Sequence, residues 1–126
     1  MGGIRRRCTA MRKAVSRDTI EATIVYMKGH LQEKITRDQL AALAGLTPEH
    51  YSRVFKKYTG RSPFEYMMGL RVERALELLQ RSPIKVKEVA RRVGIDDPYY
   101  FSRMFKRMTG AAPSDRKGKQ AIGQTP

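Results

Sequence analysis

The chain has 126 residues, which is enough for one domain or for two very small ones that share a core. Its 26 Lys and Arg residues outnumber its 12 Asp and Glu residues, so the net charge is +14 and polyanions are the expected partners, either nucleic acid or an anionic membrane surface. The single cysteine excludes an intramolecular disulfide framework, and the sequence has neither a secretory signal nor an apolar run of about 18 residues, so we expect a soluble, cytoplasmic protein.

The two ends of the chain differ in composition from the middle. Residues 1–16 are basic, contain no acid and have no sustained apolar period, which predicts a flexible arm or the stub of a linker. Residues 117–126 are polar and contain glycine, which predicts a disordered tail. Between them we expect a first helical subdomain at 17–62, a linker helix at 63–80 and a second subdomain at 81–116.

The first predicted element is an amphipathic helix whose apolar residues fall at i, i+4, i+7 and i+11. These residues are Ile20, Ile24, Met27 and Leu31. A very short helix follows, because Thr36 and Gln39 form a capping-box pattern and Gly45 stands where a left-handed residue ends a helix. Its apolar residues are Leu40, Leu43 and Ala44.

Four further helices are marked out by proline and glycine. A hydroxyl or carboxylate residue followed by proline predicts an N-cap and a first helical position, and glycine predicts the end of the helix. The boundaries found in this way are Thr47-Pro48 to Gly60, Ser62-Pro63 to Ser82-Pro83, Val86 to Gly94, and Asp97-Pro98 to Gly110. The long second helix of this group has Phe64 at the start of its predicted apolar side.

The predicted elements are all helical, since the sequence has no alternating strand pattern and no hairpin dipeptide. A short helix, a turn with glycine and a second helix occur twice, which is typical of a helix-turn-helix. The sequence therefore predicts an all-α, homeodomain-like fold with two helix-turn-helix subdomains joined by a long linker helix.

Residues 51–63 and 101–113 are two versions of one segment, YSRVFKKYTGRSP and FSRMFKRMTGAAP. Two copies are too few for a solenoid, so they indicate two related modules. At 100° per residue the apolar positions of each copy share one helix face, which we expect to be core. They are Tyr51, Val54, Phe55 and Tyr58 in the first copy, and Phe101, Met104, Phe105 and Met108 in the second.

The opposite faces are polar and basic, and each is the right size to enter a DNA major groove about 12 Å wide. Arg can bind guanine with two hydrogen bonds, Ser and Glu can reach base edges, and a Tyr ring can touch a thymine methyl. The candidates for base reading are Glu49, Ser52, Arg53, Tyr99, Ser102 and Arg103. The candidates for phosphate contact are Thr47, Lys56, Lys57, Lys106 and Arg107.

The linker helix has a length suited to spacing two such helices. Seventeen or eighteen residues span about 27 Å, and successive major grooves on one side of DNA lie about 34 Å apart. We therefore expect two recognition helices, at about 47–58 and 97–108, to enter adjacent major grooves and to read two unlike half-sites.

These residues resemble the AraC/XylS family of bacterial transcription regulators, over roughly residues 17–114. The strongest signature is DDPYYFSRMFKRMTGAAP at 96–113, preceded by VKEVARRVGI at 86–95. The resemblance implies a domain of about seven helices with two recognition helices, a nucleoid location, and RNA polymerase as a candidate partner. The segment after Pro113 lacks the tyrosine usual in that family.

Family members often carry a sensor or dimerisation domain, which residues 1–16 cannot contain. The chain is therefore expected to be either a stand-alone DNA-binding protein or a fragment of a longer regulator.

The alternatives to a sequence-specific DNA-binding regulator are less well supported by the residues. RNA or non-specific nucleic-acid binding would use the same charge, but helices suit the DNA groove better than the deep groove of A-form RNA. The chain is broken into core-forming pieces, which disfavours a membrane-surface helix. His30, His50 and Cys8 have no partners at catalytic or metal-binding spacing, so we expect no enzyme activity, cofactor, metal or small-molecule site.

Overall fold

The computed structural model describes residues 16–81 and 83–114. Within those ranges the chain forms six α-helices and no strand, which confirms the all-α prediction. They are α1 (Arg17–Gly29), α2 (Arg37–Ala44), α3 (Pro48–Thr59), α4 (Pro63–Arg81), α5 (Val86–Arg92) and α6 (Pro98–Thr109). Residues 113 and 114 are also helical, next to the end of the described region. The predicted basic arm, the C-terminal tail and Cys8 lie outside the described residues.

The chain divides into two compact units. In the described region the first unit contains residues 16–29 and 36–63, and therefore α1, α2 and α3. The second contains residues 30–35 and 64–114, and therefore nearly all of α4 together with α5 and α6. The helix expected to act as a linker thus contributes its apolar side to the core of the second unit.

In the first unit the three helices contact one another around a small apolar core. The buried apolar side chains are Ile20, Ile24, Met27, Leu40, Ala41, Tyr51 and Phe55. Two of the predicted core residues of α3, Val54 and Tyr58, are only half-buried. The helix period therefore predicts the direction of the core correctly, and the most inward positions are Tyr51 and Phe55.

A buried hydrogen-bond chain joins α3 to α1 in this core. The hydroxyl of Tyr51 donates to Oγ1 of Thr23 at 2.8 Å. The hydroxyl of Thr23 in turn donates to the carbonyl oxygen of Ile20 at 2.8 Å. Burial raises the pKa of Tyr51, and the hydrogen bond to Thr23 opposes that rise. Because each buried hydroxyl has a partner, the tyrosine can be enclosed without the cost of an unsatisfied polar group.

In the second unit α4, α5 and α6 share one core. Its buried members are Met68, Val72, Ala75, Leu79, Val89, Ala90, Val93, Ile95, Phe101, Met104 and Phe105. The short helix α5 has only seven residues, too few to be stable in isolation, so its packing on α4 and α6 stabilises it.

Arg71 is the one charged residue among the buried side chains of the described region. It lies on α4 and donates to the carbonyl oxygen of Gly94 at 2.6 Å and to that of Glu33 at 3.0 Å. Burial lowers the pKa of Arg71, and the charge of Asp96 acts in the opposite direction. The side chain thus ties the 30–35 segment and the turn after α5 to α4, within the second unit.

Four apolar residues lie farther from the core than their period predicts. Helix α1 ends at Gly29, so Leu31 lies in the following turn and is half-buried. Leu43 is 57% exposed because α2 buries the neighbouring pair Leu40 and Ala41, whose direction is about 110° away at 100° per residue. Phe64 and Met108 lie on the inward faces of α4 and α6 but in the terminal turns, where a helix has neighbours on one side only, and they stay 52% and 38% exposed.

Candidate nucleic-acid interface

The helices α3 and α6 are each 12 residues long and begin and end in the same way. At α3, Oγ1 of Thr47 accepts from the backbone N–H of His50 at 3.2 Å, and proline occupies the first helical position. At α6, the carboxylate of Asp97 accepts from the N–H groups of Tyr99 and Tyr100 at 2.9 and 3.3 Å. These caps satisfy donors that a helix start leaves free, so both predicted starts are confirmed.

The Thr-Gly pair that both copies share ends each helix. Oγ1 of Thr59 lies 2.9 Å from the carbonyl oxygen of Phe55 and accepts from the N–H of Arg61. Thr109 repeats both contacts, 2.9 Å from the carbonyl oxygen of Phe105. The following glycines have φ angles of 82° and 87°, a left-handed conformation that glycine adopts without steric cost.

The inward faces of the two helices are also alike. The rings of Tyr51 and Phe55 have centroids 5.5 Å apart and are tilted by 54°. Those of Phe101 and Phe105 are 5.7 Å apart and tilted by 47°. Since these aromatic pairs fix the rotation of each helix about its axis, they also fix which side chains point outward.

The outward face of α3 carries the residues predicted for base and phosphate contact in the first unit. Glu49, Arg53, Lys56 and Lys57 are exposed, and Ser52 is half-buried. Thr47 is exposed as well, although its hydroxyl oxygen already serves as the helix cap.

The outward face of α6 is similar but has an aromatic residue in place of the acid. Tyr99 is 79% exposed, which is unusual for a side chain of its size and leaves most of the side chain open to a partner. Arg103, Lys106 and Arg107 are exposed, and Ser102 is half-buried. Nη2 of Arg107 lies 3.8 Å from the sulfur of Met104, so this guanidinium is directed along the helix toward its start.

One residue close to the outward face of α3 was not among the DNA-contact candidates predicted from the sequence. Arg37, the first residue of α2, donates through Nη1 to Oγ of Ser52 at 3.3 Å, and its Nη2 lies 3.9 Å from a carboxylate oxygen of Glu49. It therefore brings two of the predicted base-reading side chains together. The sequence signal that could have found it is its position immediately after the Thr36 cap, at the start of the first helix of the motif.

Two further arginines, Arg91 and Arg92, lie on α5, the first helix of the motif in the second unit. The carboxylate of Glu88 accepts from Arg91 at 2.5 Å and from Arg92 at 3.0 Å. These two arginines lower the pKa of Glu88 to about 2, so the group stays ionised at neutral pH. Both arginines are exposed, which adds positive charge to the unit that contains α6.

The structure does not test the predictions that the chain has no metal, cofactor or small-molecule site. Among residues 16–81 and 83–114, no group of three or more His, Cys, Asp or Glu side chains is arranged to hold a metal ion, and no helix is long and apolar enough to cross a bilayer. An open cleft of about 530 Å³ lies at the start of α5, and it is lined by apolar, basic and acidic residues, namely Pro83, Ile84, Lys85, Lys87, Arg91, Glu88 and Asp96. The absence of a small-molecule site remains a prediction.

Each unit thus contains a short helix, a turn with a left-handed glycine and a second helix with an exposed basic outer face. This arrangement defines a protein with two helix-turn-helix motifs. A sequence profile described as a helix-turn-helix domain matches residues 40–118, which is more than half of the chain. The chain belongs to the AraC/XylS family, as its motifs predicted.

The relatives include longer regulators. The chain is 39% identical over 99 residues to the MmsAB operon regulatory protein of Pseudomonas aeruginosa, covering 79% of this chain and 32% of the relative. It is 42% identical over 85 residues to the HTH-type transcriptional activator Btr of Bacillus subtilis, covering 68% of this chain and 16% of the relative. The chain therefore spans a third or less of the length of these two relatives.

Two solved structures of isolated domains match over most of their length. The DNA-binding domain of AdpA, crystallised in complex with a target DNA, has a TM-score of 0.79 and 29% identity, covering 85% of this chain and 97% of that one. The C-terminal domain of AraT, a response regulator of Geobacillus stearothermophilus, has a TM-score of 0.78 and 28% identity, covering 84% and 88%. The fold of the described residues therefore matches those of these two solved domains.

Proposed function

We propose that this chain acts as a sequence-specific DNA-binding transcription regulator, with α3 and α6 as its two recognition helices. The observation that carries the proposal is that two helices with equivalent caps and an equivalent buried aromatic pair both carry an outward Ser-Arg ridge, in which the arginine is exposed and the serine is half-buried. A solvated basic helix needs no such duplication. The AdpA domain, which is similar over 85% of this chain, was crystallised with its target DNA and supports the same function.

The chemistry of the ridges suits base reading in a major groove. Arg53 and Arg103 are exposed and have no ion-pair partner among those found in the described region, so both guanidinium groups are available for two hydrogen bonds to guanine. Lys56, Lys106 and Arg107 lie one helical turn farther on and are suited to phosphate contacts that set the register. Ser52 and Ser102 complete a short polar ridge on each helix.

The proposal includes two groove segments read by one chain. Helix α4 has 19 residues and is therefore about 28 Å long, of the same order as the roughly 34 Å between successive major grooves on one side of DNA. The second ridge has Tyr99 where the first has Glu49, so the two half-sites are proposed to differ in sequence. Insertion into adjacent major grooves remains part of the proposal.

The experiment that tests this function is a selection of bound duplexes from a random DNA library at physiological salt, with single-stranded DNA and duplex RNA as competitors. We expect enrichment of one duplex site with two unlike halves. Enrichment of no sequence, or equal competition by RNA, would instead favour the alternative of a non-specific nucleic-acid binding protein.

Loss of either ridge arginine should relax specificity in one half of the site. We expect Arg53→Ala and Arg103→Ala each to weaken binding to the selected site by about 1–3 kcal/mol, because each removes a bidentate contact to a base. The readout is the base preference at every position, measured again for each variant. The matched control is Arg81→Ala, which removes an exposed arginine in the last turn of α4 that belongs to neither ridge. If both ridge variants keep the wild-type preference, the assignment of base-reading residues is wrong.

Binding should also fall steeply with salt. Each phosphate contact releases counterions, and the slope of log affinity against log salt is about −0.9 per contact, so the four basic phosphate candidates predict a slope of about −3.6. Between about 50 and 200 mM salt this corresponds to a roughly 100-fold loss of affinity. Titrations of the selected duplex at four salt concentrations measure the slope. An affinity independent of salt would argue against any nucleic-acid partner.

The remaining parts of the proposal follow from DNA binding. A regulator of this kind acts by binding and not by catalysis, so no enzyme activity is proposed. It would work on the bacterial nucleoid in the cytoplasm. RNA polymerase is the candidate second partner, since a protein bound beside a promoter meets the polymerase there.

A further inference from the structure

The acid on the first ridge raises an electrostatic problem. Glu49 is exposed at the start of α3, on the face proposed to enter the groove, and it is the only acidic residue among the candidates for base or phosphate contact. A carboxylate brought close to DNA phosphates is repelled, and a mismatched charge in an interface is costly. A recognition helix that uses a glutamate therefore needs a nearby positive charge.

Arg37 supplies that charge from a different helix of the same unit. Its Nη2 lies 3.9 Å from a carboxylate oxygen of Glu49, and its Nη1 donates to Oγ of Ser52 at 3.3 Å. The side chains of Arg37 and Glu49 are 50% and 73% exposed, so water screens the pair in the free protein and its contribution to stability is small. The pair matters more for the orientation of the side chains than for stability, because the guanidinium of Arg37 contacts both Glu49 and Ser52.

The second copy of the motif provides an internal comparison. When the left-handed glycines Gly45 and Gly94 are superposed in sequence, Arg37, the first residue of α2, corresponds to Val86, the first residue of α5. In the repeated segment Glu49 corresponds to Tyr99. The first unit therefore has both the base and the acid, and the second has neither. The two charges behave as one feature across the two copies.

We propose that Arg37 is a positioning residue for base reading, which neutralises Glu49 and orients Glu49 and Ser52 in the first half-site. This inference rests on the proposed DNA-binding function and extends its site to a residue outside the recognition helix. Arg37 acts through Glu49, so its importance for DNA binding depends on the acid being present. A plain phosphate contact would not have that dependence.

The test is a double-mutant cycle on the selected duplex with Arg37→Ala, Glu49→Gln and the double variant. We expect Arg37→Ala to weaken binding by about tenfold and to change base preference in the first half-site only. Glu49→Gln should recover affinity in the Arg37→Ala background by at least about fivefold more than it does in the wild-type background. Thermal unfolding should be unchanged in all three variants, since the pair is exposed.

The matched control is Arg91→Ala, which removes an arginine that pairs with Glu88 within α5. Its loss of affinity should be the same with and without Glu49→Gln. Strictly additive effects of Arg37→Ala and Glu49→Gln would overturn the inference and make Arg37 an independent phosphate contact, while leaving the proposed function intact. A wild-type protein without any sequence preference would overturn the proposed function, and this inference with it.

Discussion

Replacing Phe105 by alanine is expected to lower the free energy of unfolding of the second unit by about 3–5 kcal/mol. The ring is fully buried in the core shared by α4, α5 and α6, and it packs at 5.7 Å against the ring of Phe101. Truncation would leave a cavity that the three helices can close only in part, so both the transfer energy and the packing contacts are lost. Phe55→Ala should have an effect of similar size in the first unit, where that ring is also fully buried.

The second unit offers a matched control in Phe64. Phe64→Ala is the same Phe-to-Ala truncation, but the ring of Phe64 is 52% exposed in the first turn of α4. We expect Phe64→Ala to cost about 1 kcal/mol or less. Urea denaturation followed by far-ultraviolet circular dichroism gives both values. Equal losses for Phe105→Ala and Phe64→Ala would show that the inward face of α6 has been assigned wrongly.

Replacing Gly94 by alanine should be about as damaging, for a different reason. Its φ angle is 83°, which strains any residue with a side chain. In addition, a Cβ atom at this position would overlap the carbonyl oxygen of Leu31 and lie 2.8 Å from Nη1 of Arg71. The guanidinium would then lose its bond to the Gly94 carbonyl and remain as a buried charge with fewer partners, so we expect a loss of about 3–5 kcal/mol.

Gly110 separates the two contributions. It has nearly the same φ angle, 87°, but a Cβ atom there would meet nothing within 4 Å. Gly110→Ala should therefore show the backbone strain alone, about 1–2 kcal/mol. Thermal unfolding of both variants under one condition measures the difference. If the two substitutions cost the same, the close approach of the 30–35 segment to the turn after α5 is not a significant contribution to stability.

Much of the fold was predictable because its determinants are local. The boundaries of α3 and α6 follow from a capping residue, a proline and a terminal glycine, and all of these act within one helical turn. The capping box of Thr36 and Gln39 is present in both directions, with the hydroxyl accepting at 3.1 Å and the amide oxygen accepting at 2.9 Å. The inward direction of Phe55 and Phe105 follows in the same way from the helix period.

The predictions of buried residues were wrong at positions where the helix period gives the direction of a side chain but not whether a neighbouring helix covers it. Phe64 and Met108 lie in the correct direction, yet their turns end before neighbouring helices can enclose them. Leu43 shows a related difficulty, since the eight-residue helix α2 buries only Leu40 and Ala41 and the apolar pattern allowed more than one choice of buried face. Burial at the ends of short helices depends on the neighbours and not on the residue itself.

The sequence by itself determined the helices, the doubled motif, the exposed ridges on α3 and α6 and the membership of the family, because caps, periods and repeats are carried by residues close together in the chain. Only the tertiary structure decided how Arg71 is buried and what Arg37 contacts. Arg71 binds carbonyl groups 23 and 38 residues away, and Arg37 reaches a hydroxyl 15 residues away. A charged residue on a polar helix looks the same in sequence whether its side chain lies in water, in a core or beside another helix, because the packing of the other helices sets its surroundings.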